Sequence, residues 1–199
     1  MRRKDASKVS EGKVVKRTLT NPFGELEAVD PETNLLNIIV DTPKGSRNKF
    51  GYDEKLGLFK LINVLPAGAV FPYDFGFVPA TLGGDGDPLD VLLLMDEPAF
   101  SGCLVPGRLL GVIEAQQTNS DGERERNDRL IAVANDSPTH RELESLDQVN
   151  QTLLDQIEHF FISYNKIKGK VFEPQGRFGP DRAQRILKKG VELAARTKD

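Results

Sequence analysis

Three aspartates, Asp85, Asp87 and Asp90, fall within six residues at the start of GGDGDPLDVLLLM, residues 83–95. Gly86 allows a sharp turn between the first two, and Pro88 fixes the backbone after the second, so one turn can gather all three carboxylates. Gathered without a partner they repel; two charges ~4 Å apart cost on the order of 4 kcal/mol at an effective dielectric of ~20. A divalent cation removes that cost. Hard oxygen donors in a tight group suit Mg²⁺ or Mn²⁺, and Mg²⁺ keeps waters that phosphate oxygens can displace. The alternative is a plain turn, since Gly, Asp and Pro dominate turns in any case. An EF-hand is excluded, because its sixth position calls for glycine and holds Asp90. His140 and His159 stand apart and form no zinc-spaced set with the single Cys103.

Such a turn needs a scaffold. Short apolar runs over residues 35–40, 58–65, 91–95, 109–115 and 130–134 are bounded by Gly, Pro, Asn or Asp and predict strands. Several are almost wholly apolar, which predicts burial on both faces. The intervals between them contain no crossover helices, which favours a barrel over a parallel sheet. Further on, Leu146, Val149, Leu153, Ile157, Phe160 and Tyr164 recur at steps of three and four, the helical period, with Gly169 as the stop. A second helix is predicted after Pro180, with Ala183, Ile186, Leu187, Val191 and Ala194 on one face. The fold class expected is α+β: a small five-stranded barrel with two C-terminal helices packed against it. Residues 1–34 lack clear periodicity and are read as an irregular N-terminal extension to one domain over 35–199.

A net charge of −3 over 199 residues gives no bulk attraction to nucleic acid or anionic lipid. Arg2, Arg3, Lys4, Lys8, Lys13, Lys16 and Arg17 concentrate at the start and read as a solvated tail. Cys103 cannot form an internal disulfide and is expected in the core. No apolar run approaches the ~20 residues of a membrane helix, and no signal peptide is visible, so a cytoplasmic protein is expected.

The stretch FPYDFGFVPATLGGDGDPLDVLLL resembles the soluble family I inorganic pyrophosphatases, whose signature is Asp-x-Asp-Pro-x-Asp. IIVDTP resembles that family's early strand, and DQIEHFFISYNKIKGK its C-terminal helix, so the resemblance covers roughly residues 35–170. It implies an OB-like barrel and Mg²⁺-dependent hydrolysis of pyrophosphate to two phosphates, with Mn²⁺ as an alternative ion. It implies Asp85, Asp87 and Asp90 as metal ligands, with Asp87 also helping to deprotonate the attacking water. Lys49, Arg129 (where the family has a lysine) and Tyr164 are implied as substrate-binding groups, and Asp41 stands in place of a glutamate. A homo-oligomer, a hexamer built from trimers, is implied as well.

The chain also departs from the family pattern. An expected acid is Gly51, an arginine is Asn63, two tyrosines are Phe71 and Phe75, two metal-binding aspartates align with Gln117 and Asn127, and a late lysine is Asn165. Asp121 or Asp128 are the candidates to replace the lost carboxylates, and Lys166 the lost lysine. These substitutions support a second reading: a relative that is non-catalytic or acts on another phosphate compound.

Overall fold

Residues 23–197 are described by the computed structural model. In chain order they form β1 (Leu36–Thr42), β2 (Asn48–Asp53), β3 (Leu58–Val64), β4 (Asp74–Phe77), β5 (Asp90–Leu94), β6 (Leu104–Thr118), β7 (Arg124–Arg126), β8 (Arg129–Ala134), α1 (Gln151–Ile167), β9 (Val171–Phe178) and α2 (Pro180–Arg196). Strands β1, β4, β5, β8 and β6 pair in that order, and a further β1–β6 pairing closes the five into a ring. All ring pairings are antiparallel except β5–β8. Strand β6 extends beyond the ring, where β7 and β9 pair with it. The expected OB-like barrel with two helices is thus present.

The apolar runs have a simple cause. Along β5, Leu92 and Leu94 join one core cluster, while Val91 and Leu93 join the other. Along β8, Ile131 and Val133 alternate with Leu130 and Ala132 in the same way. Successive strand residues point to opposite faces, so a strand buried on both sides must be apolar throughout. The first cluster also takes in Leu154, Ile157 and Phe161 of α1, and the second Ala183 and Leu187 of α2. Each fully buried side chain of this size contributes roughly 1.5–3 kcal/mol. Helix α1 is capped by Asn150, whose side chain accepts from Thr152 N at 2.9 Å. That cap separates the helix from Leu146 and Val149, which are buried at and just after a short 3-10 turn, Leu146–Gln148.

The run at 58–65 behaves differently from expectation. Strand β3 pairs only with β2, in a hairpin outside the ring, and Leu58, Leu61, Ile62 and Val64 are exposed. The ring strand in its place is β4, whose sequence DFGF is too short and glycine-interrupted to stand out. Strand β9, which separates the helices, carries Pro174 and Gly176 beside a register shift and breaks the strand pattern. Cys103 is half-exposed and does not belong to the core.

The described part of the N-terminal extension packs on the barrel. Asn37 Nδ2 donates to Glu27 O at 2.9 Å, Ala28 is buried, and Phe23 makes edge contacts with Tyr52, Phe59 and Phe77. The basic tail expected at residues 2–17 lies outside the described residues.

Candidate active site

The aspartate loop joins β4 to β5. Gly83 N donates to Asp87 O at 2.7 Å and Asp87 N donates to Asp85 Oδ1 at 3.2 Å, closing a tight turn in which Gly86 adopts φ +85°. That conformation is open to glycine at little cost. A Cβ on Gly84 would lie 2.8 Å from the Arg126 carbonyl oxygen, so the loop packs directly on the backbone at the end of β7. Asp90 opens β5, Lys49 lies in β2, Asp41 near the end of β1, Arg129 opens β8 and Tyr164 sits on α1.

These groups share one electrostatic environment. Burial pushes the Asp85 carboxyl up to about 6, with the Asp90 charge adding to the rise. Asp87 is raised by burial, then by Asp90 and Glu125, and lowered by Lys170 and Lys49. Arg129 Nη1 donates to Asp90 Oδ2 and to Asn127 Oδ1. Lys49 Nζ lies 2.8 Å from Asp41 Oδ2. Burial lifts the Tyr164 hydroxyl to about 12, with the Asp41 charge contributing, so it remains a donor at neutral pH. Lys168 is lowered by burial and by the neighbouring Lys170, Lys49 and Arg129, which places four cations about one region.

Phe71 and Phe75, which stand where the family has tyrosines, lose hydroxyls but serve these cations. Lys49 Nζ is 4.2 Å from the Phe75 ring centre and 5.6 Å from that of Phe71. The Arg129 guanidinium carbon is 5.0 Å from the Phe161 centre and 5.5 Å from that of Phe172. Aromatic faces attract cations electrostatically and more strongly when desolvated.

All the acidic donors are oxygens, which fits a hard divalent cation. Burial is the main cause of the raised Asp85 and Asp87 carboxyls, and the Asp90 charge adds to both, a repulsion that such an ion would relieve. Asp41 Oδ1 and Arg129 Nε are buried with no hydrogen-bond partner in the protein, an acceptor and a donor, respectively, left for other ligands. Among the described residues no three acidic, histidine or cysteine side chains stand close enough together to hold a metal ion as they are placed here.

Other positions expected to compensate are engaged elsewhere. Asp128 accepts from Arg126 Nε at 2.7 Å and from Ala115 N at 3.1 Å, and Asp121 accepts from Glu123 N at an exposed turn. Gln117 and Asn127 are both buried and hydrogen-bonded to each other. Asn63 is exposed opposite Lys49, and its Oδ1 accepts from Val64 N at 2.8 Å. Asn165 Nδ2 turns back to Phe161 O at 2.9 Å, and Lys166 is exposed. The cations added by the structure are Lys168 and Lys170. Lys168 Nζ lies 5.0 Å from the Tyr164 ring centre, and helical spacing signals this, since residues four apart share a face. A cavity of about 290 Å³ between the loop and α2 is lined by Asp85, Asp90, Asn127, Arg182, Arg185 and Lys189 among others, while Lys49, Asp87, Arg129 and Tyr164 do not line it.

Asp41 yields a pH prediction. Burial, partly offset by Lys49, holds its carboxyl at about 6 against an ordinary 3.8. The folded form therefore binds this proton more tightly than the unfolded chain. Its stabilising effect is complete below about 3.8 and is lost as pH rises through about 6. In metal-free buffer, the wild type should lose up to about 3 kcal/mol relative to Asp41→Asn between these limits. Urea midpoints of both proteins at pH 4 and 6.5 measure it; parallel pH profiles would contradict it.

Residues 38–195 match the sequence profile of the family described as inorganic pyrophosphatase. The chain is 35% identical over 162 residues to the inorganic pyrophosphatase of a Nostoc species, covering 81% of this chain and 93% of that protein. It is 33% identical over 176 residues to soluble inorganic pyrophosphatase 3 of Arabidopsis thaliana, covering 88% of this chain and 79% of the relative. The crystal structure of inorganic pyrophosphatase from Thermus thermophilus superposes with a TM-score of 0.79 at 28% identity, over 87% of this chain and 98% of that one. Sequence profile, relatives and architecture agree over the same ring, loop and helices: the chain belongs to the inorganic pyrophosphatase family.

Proposed function

We propose that the protein hydrolyses inorganic pyrophosphate to two phosphates with the help of a divalent cation, Mg²⁺ in the first place and Mn²⁺ as a substitute. The observation that carries this reading is the meeting of the aspartate loop with Lys49, Arg129, Tyr164, Lys168 and Lys170. Asp85, Asp87 and Asp90 would hold the cation. Bound there, it supplies a Lewis acid for the phosphoryl oxygens and lowers the pKa of water.

The protein's own groups do the rest. Asp87 accepts the proton of the attacking water. Lys49 and Arg129, held over aromatic rings, and the protonated Tyr164 receive the charge that develops on the phosphoryl oxygens. Preorganised donors in a half-buried site do this without reorganising solvent, which is the larger part of their effect.

The unit doing this work is residues 35–199, with 1–34 as an extension. A cytoplasmic, homo-oligomeric protein fits this reading. The exposed Leu58, Leu61, Ile62 and Val64 on the β2–β3 hairpin support association, since a grouped apolar surface marks contact sites. No helix among the described residues is long and apolar enough to cross a membrane.

A substrate panel tests the reading. Phosphate release should be greatest with pyrophosphate and should require Mg²⁺; turnover of a nucleotide or sugar phosphate in its place would overturn it.

A further inference from the structure

The aspartate loop stands on two feet, Leu82 and Leu89. Leu89 is tied to the chain that precedes Leu82: Val78 N donates to Leu89 O at 3.0 Å, and Thr81 Oγ1 accepts from Leu89 N at 3.0 Å while donating to Val78 O at 2.7 Å. Both feet rest on one residue of α2, Gly190. Leu82 N donates to Gly190 O at 3.0 Å, using the second lone pair of a helical carbonyl. A Cβ on Gly190 would lie 2.7 Å from Leu89 Cδ1, 3.2 Å from Leu89 Cγ and 3.4 Å from Leu82 O.

Glycine is among the poorest helix formers, yet this one is buried inside a helix. Its use is close approach, because the missing side chain lets the α2 backbone meet the loop directly. Any side chain here must displace either the helix or a foot of the loop.

Beyond this contact a cavity separates the loop from the helix, with Asp85 and Pro88 on the loop side and Arg185 and Lys189 on the helix side. The other close support is Gly84 against the Arg126 carbonyl oxygen. Asp85 and Asp87 are thus carried by a span fixed at its base and at Gly84, while Asp90 belongs to β5. How the first two face the third depends on where the base is seated.

We infer that Gly190 is a positioning residue for the aspartate loop: it seats Leu82 and Leu89 on α2 and so sets Asp85 and Asp87 against Asp90. This rests on the pyrophosphatase reading above.

Two measurements on the full chain test this, neither of them turnover. Amide exchange at Leu82 reads the seat, and calorimetric titration with Mn²⁺ reads the loop. In Gly190→Ala the Leu82 amide should exchange faster while amides of β5 and β8 keep their rates. Mn²⁺ affinity should fall by roughly 10-fold or more, as it does when the outer support of a metal site is lost. Adding Leu89→Val moves one methylene from the foot to the helix and conserves volume, so the double variant should recover most of both losses. A fold that was merely destabilised would not be mended by a second truncation. Wild-type affinity in Gly190→Ala, or a double variant no better than the single one, with affinity lost in Asp87→Ala, would overturn the role of Gly190 alone. Should Gly190→Ala not fold, the double variant carries the test: it must fold and bind Mn²⁺, and failure of either overturns the inference. No Mn²⁺ binding by the wild type, or unchanged affinity in Asp87→Ala, would overturn the pyrophosphatase reading as well.

Discussion

Asp87→Ala should reduce phosphate release from pyrophosphate by about 10³-fold or more, because in the proposed mechanism it removes a general base and a carboxylate of the cation site together. A general base alone contributes typically 10²–10⁴-fold. The variant should still fold. The loop bonds made by residue 87 come from its backbone: its carbonyl accepts from Gly83 N and its amide donates to Asp85 Oδ1, and alanine keeps both. The defect should therefore appear in kcat with no loss of metal-free unfolding temperature. Retention of activity within tenfold of the wild type would remove Asp87 from the chemistry.

Arg129→Met should cost both stability and activity. The guanidinium is buried, donates to Asp90 and Asn127, and lies over the Phe161 and Phe172 rings. Breaking a buried ion pair by removing one partner leaves the other uncompensated and costs ~3–5 kcal/mol. Asp90 keeps some solvent contact, so a loss of about 3 kcal/mol is expected in urea unfolding. Arg129→Lys keeps the charge but not the planar guanidinium that lies over the Phe161 and Phe172 rings, and should lose less. A loss below about 1 kcal/mol in Arg129→Met, the range of an exposed pair, would contradict the structural role assigned here.

What could be read in advance follows from how local each signal is. The aspartate loop is specified by six neighbouring residues, and its glycines and proline are turn chemistry. The strands buried on both faces are unbroken apolar runs, and both helices show the 3.6 period. Burial of β3 could not be inferred, because an apolar run looks the same in a ring strand and in a projecting hairpin. Strand β4 was hidden by Gly76, and β9 by Pro174 and Gly176.

The candidate site shows the same division. Lys49, Arg129 and Tyr164 are found in one environment with the loop. Within QTNSDGERERNDR the expected carboxylates are Asp121 and Asp128, and only the β6–β7 pairing reveals that Glu125 stands opposite Gln117. Lys168 has a legible signal, since it lies four residues after Tyr164 and shares its face of the helix, which Lys166, two residues on, does not.

The most direct test is ³¹P NMR of the full chain with pyrophosphate, first in chelator and then with excess Mg²⁺. Conversion of the pyrophosphate resonance to orthophosphate that starts only on adding Mg²⁺, and is lost in Asp87→Ala, is the predicted result. A pyrophosphate resonance that persists unchanged in Mg²⁺ would contradict it.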